Sequence, residues 1–159
     1  MLLISIWITW PVIIGAAFIP TPHKIVNKML EIAEIKEEDT LYDLGSGDGR
    51  IIIEAANRYK SKAIGIEVDP IRVLWSRSRI RYKNIQERVH VIWGNFFNSD
   101  LSEASVITIY QGQGINNKLM DKLEKELKPG TRIVSYSFTF DGWTPVKEES
   151  DSSIYLYQI

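Results

Sequence analysis

Short apolar runs alternate along the chain with stretches in which apolar residues recur every three or four positions. Runs of four to seven residues that are apolar or alternate with polar residues are typical of strands. They predict strands over residues 41–44, 63–67, 89–93, 106–110, 132–138, 143–148 and 153–159. The helical spacing predicts helices over residues 22–34, 50–58, 70–83 and 116–127, with a short helical turn near Ser102.

This order of elements predicts an α/β fold: a doubly wound, mostly parallel, seven-stranded sheet with helices on both faces. The last two predicted strands follow each other without an intervening helix, which indicates a terminal antiparallel hairpin at one sheet edge. In the helix over 70–83, four residues at helical spacing are expected to face the core. They are Ile71, Leu74, Trp75 and Ser78.

The composition is that of an ordinary globular protein and favours one domain over residues 20–159. Hydrophobic residues make up 45% and charged residues 25% of the 159 positions. The net charge of -1 supplies no general attraction to nucleic acid, so no nucleic-acid partner is expected. Without cysteine the chain has no disulfide, zinc-thiolate site or thiol nucleophile. With only His23 and His90, no metal site is expected either.

Residues 1–19 carry no charged side chain and form an almost uninterrupted apolar segment. Its length is close to the ~20 residues that a membrane-spanning helix needs. Lys24 and Lys28 follow it and would keep the rest of the chain on the cytoplasmic side. Pro11, near its middle, instead favours an apolar arm packed over the domain. Two alternatives stay open: a cytoplasmic protein with a packed arm, or one associated with a membrane through this segment.

The loop after the first predicted strand reads Asp-Leu-Gly-Ser-Gly-Asp-Gly, starting at Asp43. In a doubly wound sheet, ligands bind at the carboxyl ends of the strands, where such a loop would lie. The spacing of Gly45, Gly47 and Gly49 differs from the Gly-x-Gly-x-x-Gly pattern of dinucleotide sites. Asp43 and Asp48 would repel a pyrophosphate, but they suit the cationic sulfonium and ammonium groups of S-adenosylmethionine. The loop therefore predicts S-adenosylmethionine as the cofactor.

Two further strand ends supply matching groups. Glu67 ends the next strand, where a carboxylate can accept hydrogen bonds from ribose hydroxyls. After the third strand, Asn95 can bond the adenine edge, and Phe96 or Val68 can pack against its ring. The predicted cofactor-binding residues are Asp43, Gly45, Ser46, Gly47, Glu67, Val68, Asn95 and Phe96.

With these motifs the chain resembles the small class I, or seven-β-strand, methyltransferases. It is most similar to the archaeal protein-lysine methyltransferases and their mitochondrial lysine-methylating relatives. The similarity covers the chain from about residue 19 to the end. It is carried by Pro-Thr-Pro at 20–22 and by the segments 42–51, 65–67, 94–97 and 123–132.

The resemblance implies a Rossmann-like methyltransferase fold and transfer of methyl groups to the ε-amino groups of protein lysines. It also implies that Asp43, Gly45 and Gly47 hold the methionine part of the cofactor, Glu67 the ribose and Asn95 the adenine. Two segments, 110–114 and 136–137, differ from the family pattern at the place where acceptor specificity is expected.

Aromatic residues on or after the later strands are candidates for an acceptor channel beside the cofactor. They are Tyr110, Tyr136, Phe138 and Trp143. An apolar, desolvated channel would favour the neutral, reactive form of a lysine amine. No residue is singled out as a general base.

Alternative functions remain open at this level. One is methylation of RNA or a small molecule by the same kind of enzyme. Another is a non-catalytic, membrane-tethered module that binds S-adenosylmethionine. A basic stretch over 72–83, with Trp75 and Tyr82 interleaved, is compatible with nucleic acid. The near-neutral total charge makes a solvated helix face the favoured interpretation of that stretch.

Overall fold

The computed structural model describes residues 19–159, which form seven strands and four α-helices. The helices are α1 (His23–Ile32), α2 (Arg50–Tyr59), α3 (Pro70–Tyr82) and α4 (Gln113–Glu126). The strands are β1 (Thr40–Leu44), β2 (Lys62–Glu67), β3 (Val89–Trp93), β4 (Val106–Ile109), β5 (Arg132–Tyr136), β6 (Lys147–Glu149) and β7 (Ile154–Gln158).

The predicted anchor or packed arm belongs to residues 1–18, apart from Ile19, and so lies outside the described residues. Between residues 19 and 159, no helix has both the length and the apolar character needed to cross a bilayer.

The seven strands form one sheet in the order β3-β2-β1-β4-β5-β7-β6. The first five strands are parallel, and β7 runs antiparallel between β5 and β6. This confirms the predicted doubly wound, mostly parallel sheet with an antiparallel hairpin at its edge. The chain order reverses between β1 and β4, so a crevice opens between the carboxyl ends of these two strands.

Two apolar layers cover the sheet, one on each face, because parallel strands are buried on both sides. The layer that includes α1, α2 and α3 contains Met29, Ile52 and Val73. The opposite layer includes α4 and contains Leu119 and Leu123. Within the sheet, alternate residues of each strand point into one layer or the other, as in β1.

The predicted orientation of α3 is wrong. Its buried residues are Val73, Ser76 and Ile80, whereas the four residues expected to face the core are exposed. The inner face is less apolar than the outer one because it packs on the glycine loop. There the Ser76 hydroxyl donates to the Gly47 carbonyl at 2.9 Å, and Arg79 donates to the Asp48 carbonyl at 2.7 Å.

Element ends differ from the prediction in two places that bear on the site. The Thr21 side chain does not cap α1, since Pro22 is the capping residue and no side chain bonds to the free amides there. Instead, the Thr21 carbonyl accepts a hydrogen bond from Arg50 at 2.8 Å, which ties the N-terminal arm to the start of α2. β6 is confined to Lys147–Glu149, shorter than the predicted 143–148.

Candidate cofactor site

A cavity of about 190 Å³ lies at the carboxyl ends of β1, β2 and β4, where the strand order reverses. The described lining includes all eight residues predicted to bind the cofactor. They are Asp43, Gly45, Ser46, Gly47, Glu67, Val68, Asn95 and Phe96. The cavity thus brings together residues from three successive strand ends, as the sequence predicts.

The glycine loop connects β1 to α2 in a conformation that requires glycine at three positions. Gly45, Gly47 and Gly49 have φ values of +88°, +54° and +77°, a region that other residues rarely adopt. The Gly45 and Ser46 amides donate to the Ile66 carbonyl at 2.9 and 3.1 Å, so the loop is fastened to the end of β2. A side chain at Gly45 would also collide with the amide of Gln111.

Gly65, in the middle of β2, allows the glycine loop to approach the sheet. A Cβ atom at this position would lie 2.5 Å from Ser46 Oγ and 2.9 Å from Ile52 Cδ1. We expect Gly65→Ala to destabilise the protein by about 1–3 kcal/mol, because the surrounding core has no room for the methyl group. Thermal unfolding should show a lower Tm.

Gly114→Ala serves as the matched control for this prediction. Gly114 lies in the first turn of α4 with no atom within 4 Å of an added Cβ. Alanine is a better helix former than glycine by up to about 1 kcal/mol, so this change should leave the Tm unchanged or raise it. A Gly65→Ala variant as stable as wild type would contradict the close packing of loop and sheet.

Glu67 links the glycine loop to α3. Its Oε2 accepts a hydrogen bond from the Gly47 amide at 2.8 Å, and its Oε1 accepts one from the Asp69 amide at 2.9 Å. The Asp69 carboxylate in turn caps α3 by accepting from the Ile71 amide at 2.9 Å. Arg72 lies 3.9 Å from Glu67 and adds positive charge. The buried carboxylate is therefore held in one position at the cavity wall.

Asp43 is buried at the end of β1 and lines the same cavity. Burial raises its pKa to about 7, a hydrogen bond from the Thr108 hydroxyl at 2.8 Å opposes this rise, and the charges of Glu67 and Asp48 add to it. Since desolvation disfavours the carboxylate, a cationic group in the cavity would stabilise the ionised form. Asp43 is thus suited to a positively charged ligand.

Asp48 has a different role from the one its position in the loop predicts. Its carboxylate forms ion pairs with Arg50 and Arg79, both at 2.9 Å. Partial burial alone would raise the pKa of Asp48, but the hydrogen bonds and charges of Arg50 and Arg79 outweigh that effect and lower it. The two guanidinium groups neutralise this carboxylate, so the free negative charge at the cavity comes from Asp43 and Glu67.

The loop after β3 forms the opposite wall, where Asn95 and Phe96 line the cavity together with Val68. The side-chain oxygen of Asn95 accepts a hydrogen bond from the Phe97 amide at 3.0 Å and so stabilises the turn. The Gly94 amide donates to the Glu67 carbonyl at 3.0 Å, which holds this loop against the end of β2. An apolar wall with one amide side chain matches the chemistry of an adenine ring.

Three of the four aromatic candidates for the acceptor channel lie together. The ring of Tyr110, which lines the cavity, is 4.6 Å from that of Tyr136 and 6.5 Å from that of Phe138. Trp143 lies elsewhere: it packs on Phe140 and its indole nitrogen donates to Glu124 at 3.1 Å. The structure thus contradicts a channel position for Trp143, because core packing draws its ring away.

Several lining residues were not predicted from the sequence: Thr21, Arg72, Gln111 and Ile115. Gln111 donates to the Leu44 carbonyl at 3.3 Å and so contacts the base of the glycine loop. Its position directly after the fourth strand was the available signal, since parallel strands end at the same edge of the sheet. Arg72 carries a weaker signal, because arginines on a helix are mostly solvent-exposed.

The residues present fit S-adenosylmethionine. Glycines let the chain approach a ligand closely, two buried carboxylates match cationic and hydroxyl groups, and an apolar wall matches adenine. The fold and this site define the class of the protein: it is an S-adenosylmethionine-dependent methyltransferase with a seven-stranded sheet. The prediction of the cofactor is confirmed by comparison with known proteins.

Within this class, the chain belongs to the family described as the ANTKMT methyltransferase domain, whose model matches residues 43–147. A protein-lysine N-methyltransferase of Saccharolobus islandicus is 44% identical to it over 149 residues, which cover 89% of this chain and 92% of that protein. A lysine N-methyltransferase of Homo sapiens that is named for ATP synthase is 33% identical over 147 residues, 88% of this chain. The matched part is 60% of the human protein's length.

A solved structure has the same fold. The crystal structure of an RNA methyltransferase from Salinibacter ruber in complex with S-adenosyl-L-homocysteine superposes with a TM-score of 0.86. The two sequences are 39% identical, and the match covers 89% of this chain and 94% of the other.

Proposed function

We propose that this enzyme transfers methyl groups from S-adenosylmethionine to the ε-amino groups of lysine side chains in proteins. The observation that carries this proposal is the 44% identity with a protein-lysine N-methyltransferase across 89% of the chain. The predicted family resemblance pointed to the same acceptor from the motifs alone.

The aromatic residues beside the cavity support this acceptor. A lysine amine with an ordinary pKa of about 10.4 must lose its proton before it can attack a methyl group. Tyr110, Tyr136 and Phe138 form a cluster next to the cofactor cavity. An amine desolvated against such rings has a lowered pKa and is more often neutral. We propose Tyr110 and Tyr136 as acceptor-channel residues.

The same proposal assigns roles in cofactor binding. The cofactor supplies a methyl group that is activated by positive sulfur. Asp43 would stabilise positive charge at the end of β1, and Glu67 would accept hydrogen bonds from ribose hydroxyls. The Asn95 amide nitrogen would donate to adenine, since its oxygen already accepts from Phe97. These residues would hold the donor in line with the acceptor, where positioning contributes several kcal/mol, about 7–11 at most.

Methylation of RNA is the second candidate, favoured by the similarity to the Salinibacter ruber protein. The α3 arginines weigh against it. Arg77 donates to the Val91 carbonyl at 2.8 Å, and Arg79 pairs with Asp48. Cations committed to contacts within the protein are less able to neutralise phosphates.

The proposed function is tested by incubating the purified full-length chain with methyl-labelled S-adenosylmethionine and three separate pools: protein, RNA and small metabolites. We expect label in the protein pool, located on lysine by mass spectrometry. A Glu67→Ala sample should transfer far less label, and a Glu103→Ala sample, altered at an exposed ion pair with Lys128, should match wild type. Label confined to RNA or to metabolites, or none despite tight cofactor binding, would overturn the lysine proposal.

A further inference from the structure

The outer face of α3 and the adjoining ends of β2 and β3 form a continuous apolar surface. We call it the α3 outer surface; it consists of Val68, Ile71, Leu74, Trp75, Tyr82 and Trp93. Its largest members are well exposed: Leu74 at 63%, Trp75 at 61%, Tyr82 at 87% and Trp93 at 64%. Single exposed apolar residues are common in proteins, but a contiguous group of this size marks an interaction site.

Helical spacing and one hydrogen bond join these residues into one surface. Ile71, Trp75 and Tyr82 follow one another along one side of α3, separated by four and seven positions. The Trp93 indole nitrogen donates to the Val68 carbonyl at 3.0 Å, which holds this ring beside the start of α3. The spacing that predicted a buried helix face is therefore real, but the face points outward and has no covering layer among the described residues.

The charges around this surface have one sign. Between Pro70 and Tyr82, α3 contains four arginines and no acidic residue. Arg77 and Arg79 bond to the protein itself. Arg81 and Lys83, at the end of the helix, are exposed beside Tyr82. A helix with an apolar, tryptophan-containing face bordered by cations is typical of segments that lie on anionic lipid surfaces.

The start of the described chain lies at the same end of the molecule. Ile19 is exposed and borders the cavity together with Val68 and Arg72. The 18 residues that precede it in the sequence carry no charged side chain. An uncharged, apolar stretch thus leads into the protein next to the edge of the α3 outer surface.

We propose that the α3 outer surface binds the surface of an anionic lipid bilayer. Trp75, Tyr82 and Trp93 would insert their rings at the level of the headgroups, where tryptophan and tyrosine are enriched. Arg81 and Lys83 would contact lipid phosphates, each basic residue adding to the attraction. This inference does not depend on which acceptor the enzyme methylates.

The test uses single cysteines as reporters, because the natural chain contains none. Leu74→Cys places an environment-sensitive fluorophore on the α3 outer surface. Val146→Cys, an exposed apolar position near β6 at the opposite edge of the sheet, is the control. Each labelled full-length protein is mixed with vesicles of phosphatidylcholine alone or with one third phosphatidylglycerol, an anionic lipid.

We expect the emission at position 74 to shift to shorter wavelength with the anionic vesicles, and that at position 146 to stay constant. Protein that floats with vesicles while both labels remain unchanged would overturn the proposal, because attachment would then come from elsewhere in the chain. A label at position 74 that is buried before lipid is added, in a protein eluting as a dimer, would assign this surface to a second copy instead.

A double variant tests the same surface without a label. Leu74→Glu combined with Trp75→Glu should lower the partition coefficient of the full-length protein onto anionic vesicles at least about tenfold, since two apolar side chains are lost and two negative charges added. Val146→Glu should leave it unchanged. Methyl transfer to a soluble acceptor should be retained by both variants, because neither position lines the cavity. Equal partitioning of the double variant and wild type would contradict the proposal.

Discussion

Glu67→Ala is expected to weaken binding of S-adenosylmethionine by about a hundredfold or more. The carboxylate is buried and accepts hydrogen bonds from the Gly47 and Asp69 amides, so it holds the cavity wall in place as well as facing the ribose. A hydrogen bond to a charged group contributes about 1.5–3 kcal/mol, and loss of two such bonds to the ligand corresponds to a hundredfold or larger change. Isothermal titration calorimetry would measure the change in Kd.

Two further variants separate the role of the charge from that of the shape. Glu67→Gln keeps the size of the side chain and one acceptor oxygen, so its Kd should lie between those of wild type and Glu67→Ala. Glu103→Ala removes an exposed carboxylate that pairs with Lys128 at 3.3 Å, and its Kd should equal that of wild type. Circular dichroism would verify that each variant is folded. An unchanged Kd for Glu67→Ala would refute the ribose assignment.

Binding of S-adenosylmethionine is expected to become about tenfold tighter between pH 6 and pH 8 through Asp43. In the ligand-free protein the pKa of this buried carboxyl is raised to about 7, so roughly half of the molecules carry a proton there at pH 7. A cationic ligand requires the carboxylate, and binding must therefore release that proton. Calorimetry in buffers of different ionisation enthalpy would count about half a proton released per ligand at pH 7.

Asp43→Asn provides the reference for this effect, because the amine of the cofactor titrates in a similar range. The variant should bind more weakly at pH 8, and its Kd should follow the titration of the ligand alone. A wild-type pH profile that coincides with that of Asp43→Asn would show that Asp43 does not change its protonation on binding.

The same pKa shift has a consequence for stability without ligand. Because the folded protein binds this proton more tightly than the unfolded chain, the resulting stabilisation is present below about pH 4 and is lost as the pH rises through 7. Asp43→Asn removes the burial of a charge, so at pH 8 it should be more stable than wild type by up to about 4 kcal/mol. Chemical unfolding at pH 8 would measure the difference.

Most of the fold could be predicted from the sequence because its elements are encoded locally. Residues 41–44 and 63–67 are short apolar runs that end in acids or glycines, and both form strands close to the predicted bounds. The glycine loop at 43–49 could be placed at a strand end by the same reasoning. The predicted site residues then meet in one cavity because parallel strands end at the same sheet edge.

Three interpretations failed where the outcome depended on residues distant in sequence. Asp48 is neutralised by Arg79, 31 positions away. Trp143 is drawn to Phe140 and Tyr157 instead of the acceptor channel. The inner face of α3 follows Ser76, whose hydroxyl bonds to the glycine loop. None of these contacts leaves a periodic or local pattern in the sequence.

By itself the amino-acid sequence determined the order of strands and helices, the glycine loop and the acids that follow it, since each depends on neighbours within a few residues. Only the tertiary structure decided which carboxylates remain free, which aromatic rings border the cavity and which face of α3 is left uncovered. These outcomes result from packing and charge pairing between distant segments, where the free energy of a contact depends on the partner that the fold brings to it.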